Sequence, residues 1–429
     1  MSPAPDRAPP APAPATAPER AAATVDGDEV VRLVREATAI PSVTPNEGPF
    51  AEWVLDAMNA AGAFDDTGSA AFEPGRPNVW GSVGGSEGRS LLLAGHLDTV
   101  ATQDWSQHWK GTERADPFGA HVIDGEIWGR GVADQKAGIC AIVEAVSAVR
   151  RAGLRPAGNV SALFVCDEES GQPGSGVSAG IRAAVQGRSG PVPSADFAIY
   201  TEPTTSAIYT AQMGFLIADI TLTGVSAYFG RPELGVDALR AGHSLLARLW
   251  ECSEGLRKSV PSHELLGEAF LLVTSVSAGG NIAVPGRFDL SLIRKLLPGE
   301  SLDDAAEQIR SIAVDAAEAH GVDCAVEFNA ARDHPVGGTP DEIGAGHPGV
   351  RALADSIEAV TGEPARVDGA PYWSEKSFLA DLGIPSVYFA PGDISNCHTP
   401  FERLGIDELV TATRTLAHFI AAWCETTDP

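Results

Sequence analysis

The sequence is short of thiols, of basic residues and of long apolar runs, and each shortage excludes something. Its six cysteines, Cys140, Cys166, Cys252, Cys324, Cys397 and Cys424, include no CxxC pair. That excludes a disulfide framework and a thiolate zinc site. Against 57 acidic residues stand only 30 Lys and Arg, a net charge of −27. A field of that sign repels phosphate backbones and anionic membrane surfaces, so neither nucleic acid nor membrane is an expected partner. No apolar run approaches the ~18 residues of a membrane span. The opening MSPAPDRAPPAPAPATAPERAAATV has neither the basic start nor the apolar stretch of a secretory signal. With the acidity, this points to the cytoplasm.

What is present is ordinary for a globular enzyme: 44% apolar and 20% charged residues over 429 positions, enough chain for two or three domains. Residues 1–26, mostly Pro and Ala, bury too little surface to offset their ordering entropy and read as a disordered leader. Order is expected from DGDEVVRLVREATAI, an amphipathic helix with an acidic first turn. A helix near 49–61, a buried strand at 91–94, a helix near 135–152 and strands near 160–166, 197–200 and 386–390 follow. Strands alternating with helices predict an α/β fold with a mixed, largely parallel sheet. Between Phe215 and Phe328 the order becomes strand, helix, strand, strand, helix, strand, which is a ferredoxin-like α+β unit. Alternation resumes afterwards, so this unit reads as an insertion. The expected division is a catalytic domain at 27–213 and 329–429, with an inserted domain at 214–328.

Five strand ends carry chemistry. In LLLAGHLDTV, His96 and Asp98 share one side of a strand's carboxyl end, where open α/β sheets bind ligands. Alone, this pair reads equally as a zinc ligand with its orienting carboxylate or as a strand-end His bonded to a local Asp. In WGRGVADQKAGI, Gly129 and Gly131 allow close backbone approach, and Asp134 taken alone reads as an N-cap. In LFVCDEESG an apolar strand runs into Asp167, Glu168 and Glu169, three carboxylates whose repulsion calls for cations. YTEPT places Glu202 past a strand, and FAPGDISNCHTPFE brings His398 and Glu402 after a Pro-Gly turn. Together the ends supply His, Asp, Glu, Glu and His plus a spare Glu. Mixed nitrogen and oxygen donors in that number suit two ions of zinc, cobalt or manganese.

The ordered set GHLDTV, GRGVADQKAG, DEES, TEPT and CHTPFE resembles the co-catalytic zinc aminoacylases and peptidases. That family includes acetylornithine deacetylase, succinyl-diaminopimelate desuccinylase and glutamate carboxypeptidase, and the resemblance covers essentially 28–425. It implies that His96 and Glu202 hold one metal, Glu169 and His398 the other, and that Asp134 bridges them. Glu168 is then the general base and Asp98 the orienter of His96. Such a pair of ions polarises a scissile amide carbonyl and acidifies a bridging water, whose proton Glu168 passes to the leaving amine. The resemblance further implies a homodimer formed through the inserted domain, which closes as a lid. Asn281 is implied as a contact across the dimer and Arg294 as a clamp on a substrate carboxylate. Arg294 reads equally as one half of a strand-edge ion pair. Ser374-Glu375-Lys376 replaces the Thr-Glu-Ala turn of the acetylornithine deacetylase branch, making Glu375 a candidate substrate-pocket residue.

One departure stands out. The family has a lid histidine, an oxyanion donor usually supplied by the partner subunit, where this chain has Tyr228. A lost oxyanion donor costs ~10²–10³ in rate. The leading expectation is a dinuclear-metal hydrolase of an N-acyl amino acid or dipeptide-like substrate with a free carboxylate. The alternatives are a homologue redirected through Tyr228 towards acyl transfer or amide formation in biosynthesis, and a metal-dependent binding protein without turnover.

Overall fold

The computed structural model describes residues 15–169 and 176–427. Its larger sheet has nine strands. Along it lie Asp66–Glu73, Arg76–Gly84, Asn159–Val165, Leu91–His96, Phe197–Tyr200, Ser386–Tyr388, Ile208–Gln212 and Asp341–Glu342, with Val367–Ala370 also pairing to Ile208–Gln212. The centre is parallel: Leu91–His96 runs beside Asn159–Val165 and Phe197–Tyr200, and Ser386–Tyr388 beside Phe197–Tyr200. The margins are antiparallel, through the hairpin Asp66–Glu73/Arg76–Gly84 and the Asp341–Glu342 edge. That hairpin was not predicted. Its sequence, DTGSAAFE, is half-exposed and offers little apolar alternation to find it by.

Every residue of Leu91–His96 is buried, as a central parallel strand requires. Leu91 and Leu93 face one core, which contains helices Ala137–Arg151 and Ile406–Trp423. Leu92 and Ala94 face the other core, with Ile181 and Leu379 from shorter helices. Ala137–Val149 is buried on all sides, so its Ala-, Val- and Ile-rich sequence shows no solvent face.

The second sheet is antiparallel, in the order Phe270–Ala278, Arg287–Leu296, Gly214–Thr223, Asp323–Phe328. Numbered along the chain this is 2-3-1-4, the ferredoxin-like order. Alternate residues Leu216, Ala218, Ile220 and Leu222 enter a core of its own under helices Ala238–Ser259 and Leu302–Glu318. The chain's two crossings between the sheets lie side by side. Gly337–Gly338 pairs with Phe215 and Leu216, and Asp341–Glu342 pairs with Ala211 and Gln212.

One expectation is corrected. Within the supposed leader, Ala17–Ala23 is a helix, while residues 1–14 lie outside the described residues. Thr16 and Glu19 form a reciprocal capping box that satisfies its first donors. Ala21 is buried against the C-terminal helix Ile406–Trp423. The Pro/Ala-rich composition pointed the other way, yet Pro18 falls in the first helical turn, where proline is tolerated. Among the described residues, no helix is long and apolar enough to cross a membrane.

Candidate metal centre

The parallel strands end at one edge of the large sheet, and that edge gathers the motif residues. His96 is the last residue of its strand; Glu168 and Glu169 follow Asn159–Val165, Glu202 follows Phe197–Tyr200, and His398 lies in the loop after Ser386–Tyr388. Asp134 sits where Gly131, at φ 79, turns the chain into the long buried helix, and its peptide bond to Gln135 is cis.

Asp134 is central. Its Oδ1 lies 3.1 Å from His96 Nε2, and its Oδ2 lies 3.1 Å from His398 Nε2. Glu202 Oε1 is 3.6 Å from the same nitrogen of His96, and Glu169 Oε1 is 2.8 Å from that of His398. Three groups have potential ligand atoms within 4.8 Å of one another, His96–Glu168–Glu169 and the two that meet at Asp134, His96–Asp134–Glu202 and Asp134–Glu169–His398. The latter two share one carboxylate.

The electrostatics match the crowding. Burial, and then the charge of Asp134, pushes Glu169 up to about 8. Burial also holds Glu202 well above the usual carboxylate range and raises Glu168. Burial opposes ionisation of Asp134 too, but hydrogen bonds with His398 and His96 outweigh it and keep its carboxyl low. Nitrogen and oxygen donors packed around shared negative charge form a donor set suited to two divalent cations.

Asp98 has a wider role than the sequence indicated. Its main-chain carbonyl, 3.0 Å from His96 Nδ1, takes the ring's hydrogen bond, while its carboxylate stays 3.7 Å away. That carboxylate instead accepts from the main-chain N–H of Glu168 at 3.2 Å and of Glu169 at 2.7 Å, and from Thr44 Oγ1 at 2.7 Å. It therefore sets the loop carrying both glutamates. The third member of the acidic run, Asp167, turns away. Its carboxylate accepts from Arg76 at 2.6 Å and from the N–H groups of Gly176, Val177 and Ala179 at 3.1 Å.

Glu402 is buried and paired with the buried Arg130. It also accepts from the N–H groups of Ala133 and Asp134, each at 3.2 Å, and so fixes the loop that presents Asp134. Gln135 and Ser374 donate to Glu202 at 3.1 and 2.7 Å. Sequence reasoning did not assign these supports, because nothing in a motif distinguishes a ligand from the residue that holds it.

A cleft of about 340 Å³ opens over the cluster, lined by Asp134, Glu168, Glu169, Glu202 and His398 and walled by Phe215, Tyr372 and Trp373. Glu375 lies outside its lining, fully buried, with Tyr200 donating to Oε2 at 2.9 Å. Burial holds its carboxyl well above the ordinary range. Arg294 is not brought to the cleft. It is buried on the second sheet, where its guanidinium meets Glu300 at 2.5 Å. Nor does Tyr228 or Asn281 reach the cleft in this chain. Both lie in loops past the far end of the strand that begins beside Phe215, eight residues or roughly 26 Å away. Tyr228 is 61% exposed.

Comparison with known proteins fits this geometry. The family model for peptidase family M20/M25/M40 matches residues 92–422. The chain belongs to that family. It is therefore a member of a family of hydrolases that includes metallopeptidases, as its resemblance implied. A succinyl-diaminopimelate desuccinylase from Gluconacetobacter diazotrophicus is 30% identical over 400 residues, covering 90% of this chain and 95% of that protein. An N-formyl-4-amino-5-aminomethyl-2-methylpyrimidine deformylase from Bacillus subtilis is 25% identical over 422 residues, covering 91% and 93%. In fold, the chain is similar to a tripeptidase from Staphylococcus aureus, with a TM-score of 0.73 at 17% identity over 94% of this chain and all of that one. A dinuclear metal binding peptidase from Bacillus subtilis is similar with a TM-score of 0.64 at 15% identity over 95% and 99%.

Proposed function

We propose that this family member hydrolyses the amide bond of an N-acyl amino acid or dipeptide-like substrate, using two divalent cations, with zinc favoured over cobalt or manganese. The observation that carries the reading is Asp134, whose two carboxylate oxygens each stand 3.1 Å from a different histidine nitrogen. His96 and Glu202 would hold one cation, Glu169 and His398 the other, with Asp134 shared. When bound, the cations supply electrophilic polarisation of the scissile carbonyl and lower the pKa of a bound water.

The chain's own residues do the rest. Glu168 lines the cleft, and no hydrogen bond to its carboxylate competes for it among the described residues. It takes a proton from the attacking water and delivers it to the leaving nitrogen. Asp98 acts as a positioning residue by fixing the Glu168–Glu169 loop. Glu168→Gln should lower turnover by ~10²–10⁴-fold while metal content stays at that of the parent protein. Free-amine release and elemental analysis measure the two. Retained turnover would remove Glu168 from the role.

We assign residues 27–213 and 329–429 to the catalytic unit and 214–328 to a lid that also joins two copies. Support comes from the two separate cores and from the edge strand Phe270–Ala278, which exposes Leu272 and Val276 near exposed Ile282, Phe229 and Tyr228. An edge strand with apolar side chains invites pairing with a second copy. Tyr228, remote from its own cleft, is then placed to serve the partner's. Tyr228→His should raise amide hydrolysis if the tyrosine is a weaker oxyanion donor. Amide formation that depends on an added amine, with no hydrolysis by the parent, would favour the acyl-transfer reading instead.

A further inference from the structure

We infer that Arg332 receives the carboxylate of the substrate, and that the aromatic wall beside it selects an aromatic or large apolar side chain next to that carboxylate. This deepens the hydrolase reading and rests on it for the identity of the scissile bond. Arg332 is the single Lys or Arg among the cleft-lining residues, in a lining otherwise charged by Asp134, Glu168, Glu169 and Glu202. An anionic substrate group entering that field needs a fixed cation, and Arg294 is already committed to Glu300.

Arg332 is not committed. Among the described residues no carboxylate pairs with it, and its one side-chain hydrogen bond is from Nη1 to the Ala331 carbonyl, at 3.1 Å. Its guanidinium carbon lies 6.0 Å from both the Phe215 and the Trp373 ring centroids, at the outer limit of a cation–π contact. Among the described residues the Nε/Nη2 edge has no hydrogen-bond partner, which leaves it for a bidentate one, the geometry in which guanidinium recognises carboxylate.

The main chain, meanwhile, is fixed. The Arg332 N–H donates to His334 and Gly337 carbonyls at 3.1 and 3.0 Å, and its carbonyl accepts from Arg182 at 2.5 Å. Trp373, opposite, is anchored by its indole N–H to the Thr339 carbonyl at 3.2 Å. A fixed turn at the crossing between the two sheets therefore carries the cation, and Phe215 from the neighbouring strand and Trp373 from the segment after Val367–Ala370 set two aromatic faces beside it in the same cleft. That arrangement fits a carboxylate with an apolar side chain beside it.

The test measures binding and turnover of N-acetyl-L-phenylalanine and of its primary amide, with zinc-loaded full-length protein and its Arg332→Gln and Arg332→Lys variants. Calorimetry reads binding and free-amine release reads turnover. The parent should bind the acid roughly 10- to 100-fold tighter than the amide, the worth of a charge-assisted hydrogen-bond pair. Arg332→Gln should bring that ratio close to one, and Arg332→Lys should restore part of it. Because the turn is held by main-chain bonds, side-chain replacement leaves its supports in place. Equal binding of acid and amide by the parent, or a preference that survives in Arg332→Gln, overturns the assignment. An Arg332-dependent preference without turnover of either compound would keep this assignment and remove the hydrolase reading.

Discussion

At the scale of single residues, the site is a set of candidate ligands fixed by residues outside that set. Glu402 illustrates it: buried with Arg130, it also holds the N–H of Asp134. Glu402→Ala leaves a buried guanidinium unpaired, a change that typically costs about 3–5 kcal/mol. Thermal denaturation should show a large drop in Tm, and elemental analysis a loss of metal, although no ligand was altered. Asp134→Asn makes the complementary prediction. A shared carboxylate replaced by a neutral amide should cut metal content from about two ions per chain to one or none, with the fold intact by circular dichroism. That these candidate ligands would meet was legible in the sequence because strand ends announce themselves and His, Asp and Glu at five of them form a pattern. Their supports were not. Asp98 shows why: its side chain reaches the N–H groups of residues seventy positions away, a contact no local motif encodes.

At the scale of elements, periodicity served well where one face is buried and poorly elsewhere. Three strands of the second sheet alternate strictly, the edge strand Phe270–Ala278 excepted, and the βαββαβ order was readable from end to end. The hairpin at the margin of the large sheet, with its weak pattern, went unread. So did the short strands Ile208–Gln212 and Val367–Ala370, whose pairing with each other spans more than 150 residues of chain. The edge strand Phe270–Ala278 carries a prediction of its own. Its exposed Val276, replaced by Lys, should weaken any pairing of copies along that edge, as charge on an edge strand does. If copies pair there, sedimentation should show a smaller species than the parent; identical profiles would remove that edge from any role in assembly.

At the scale of the whole molecule, a strongly acidic chain concentrates several carboxylates in one buried place. Asp134, Glu169 and Glu202 repel one another unless cations share the site, so metal binding should contribute to folding stability as well as to chemistry. Chelation should lower Tm, and added zinc should restore it, whereas a site irrelevant to metal would leave Tm unmoved. The acidity itself was plain from composition, but where it gathers follows only from a sheet whose parallel strands all end on one side.

The capped helix Ala17–Ala23 packs on Ile406–Trp423, so two elements far apart in sequence rest against each other. His398 lies just ahead of that closing helix. Both that contact and the cleft join segments far apart along the chain, so neither closes before the segment carrying His398 and Ile406–Trp423 has been made. Assembly of this centre is therefore paced by non-local contacts, which form slowly and leave apolar surface uncovered in the meantime.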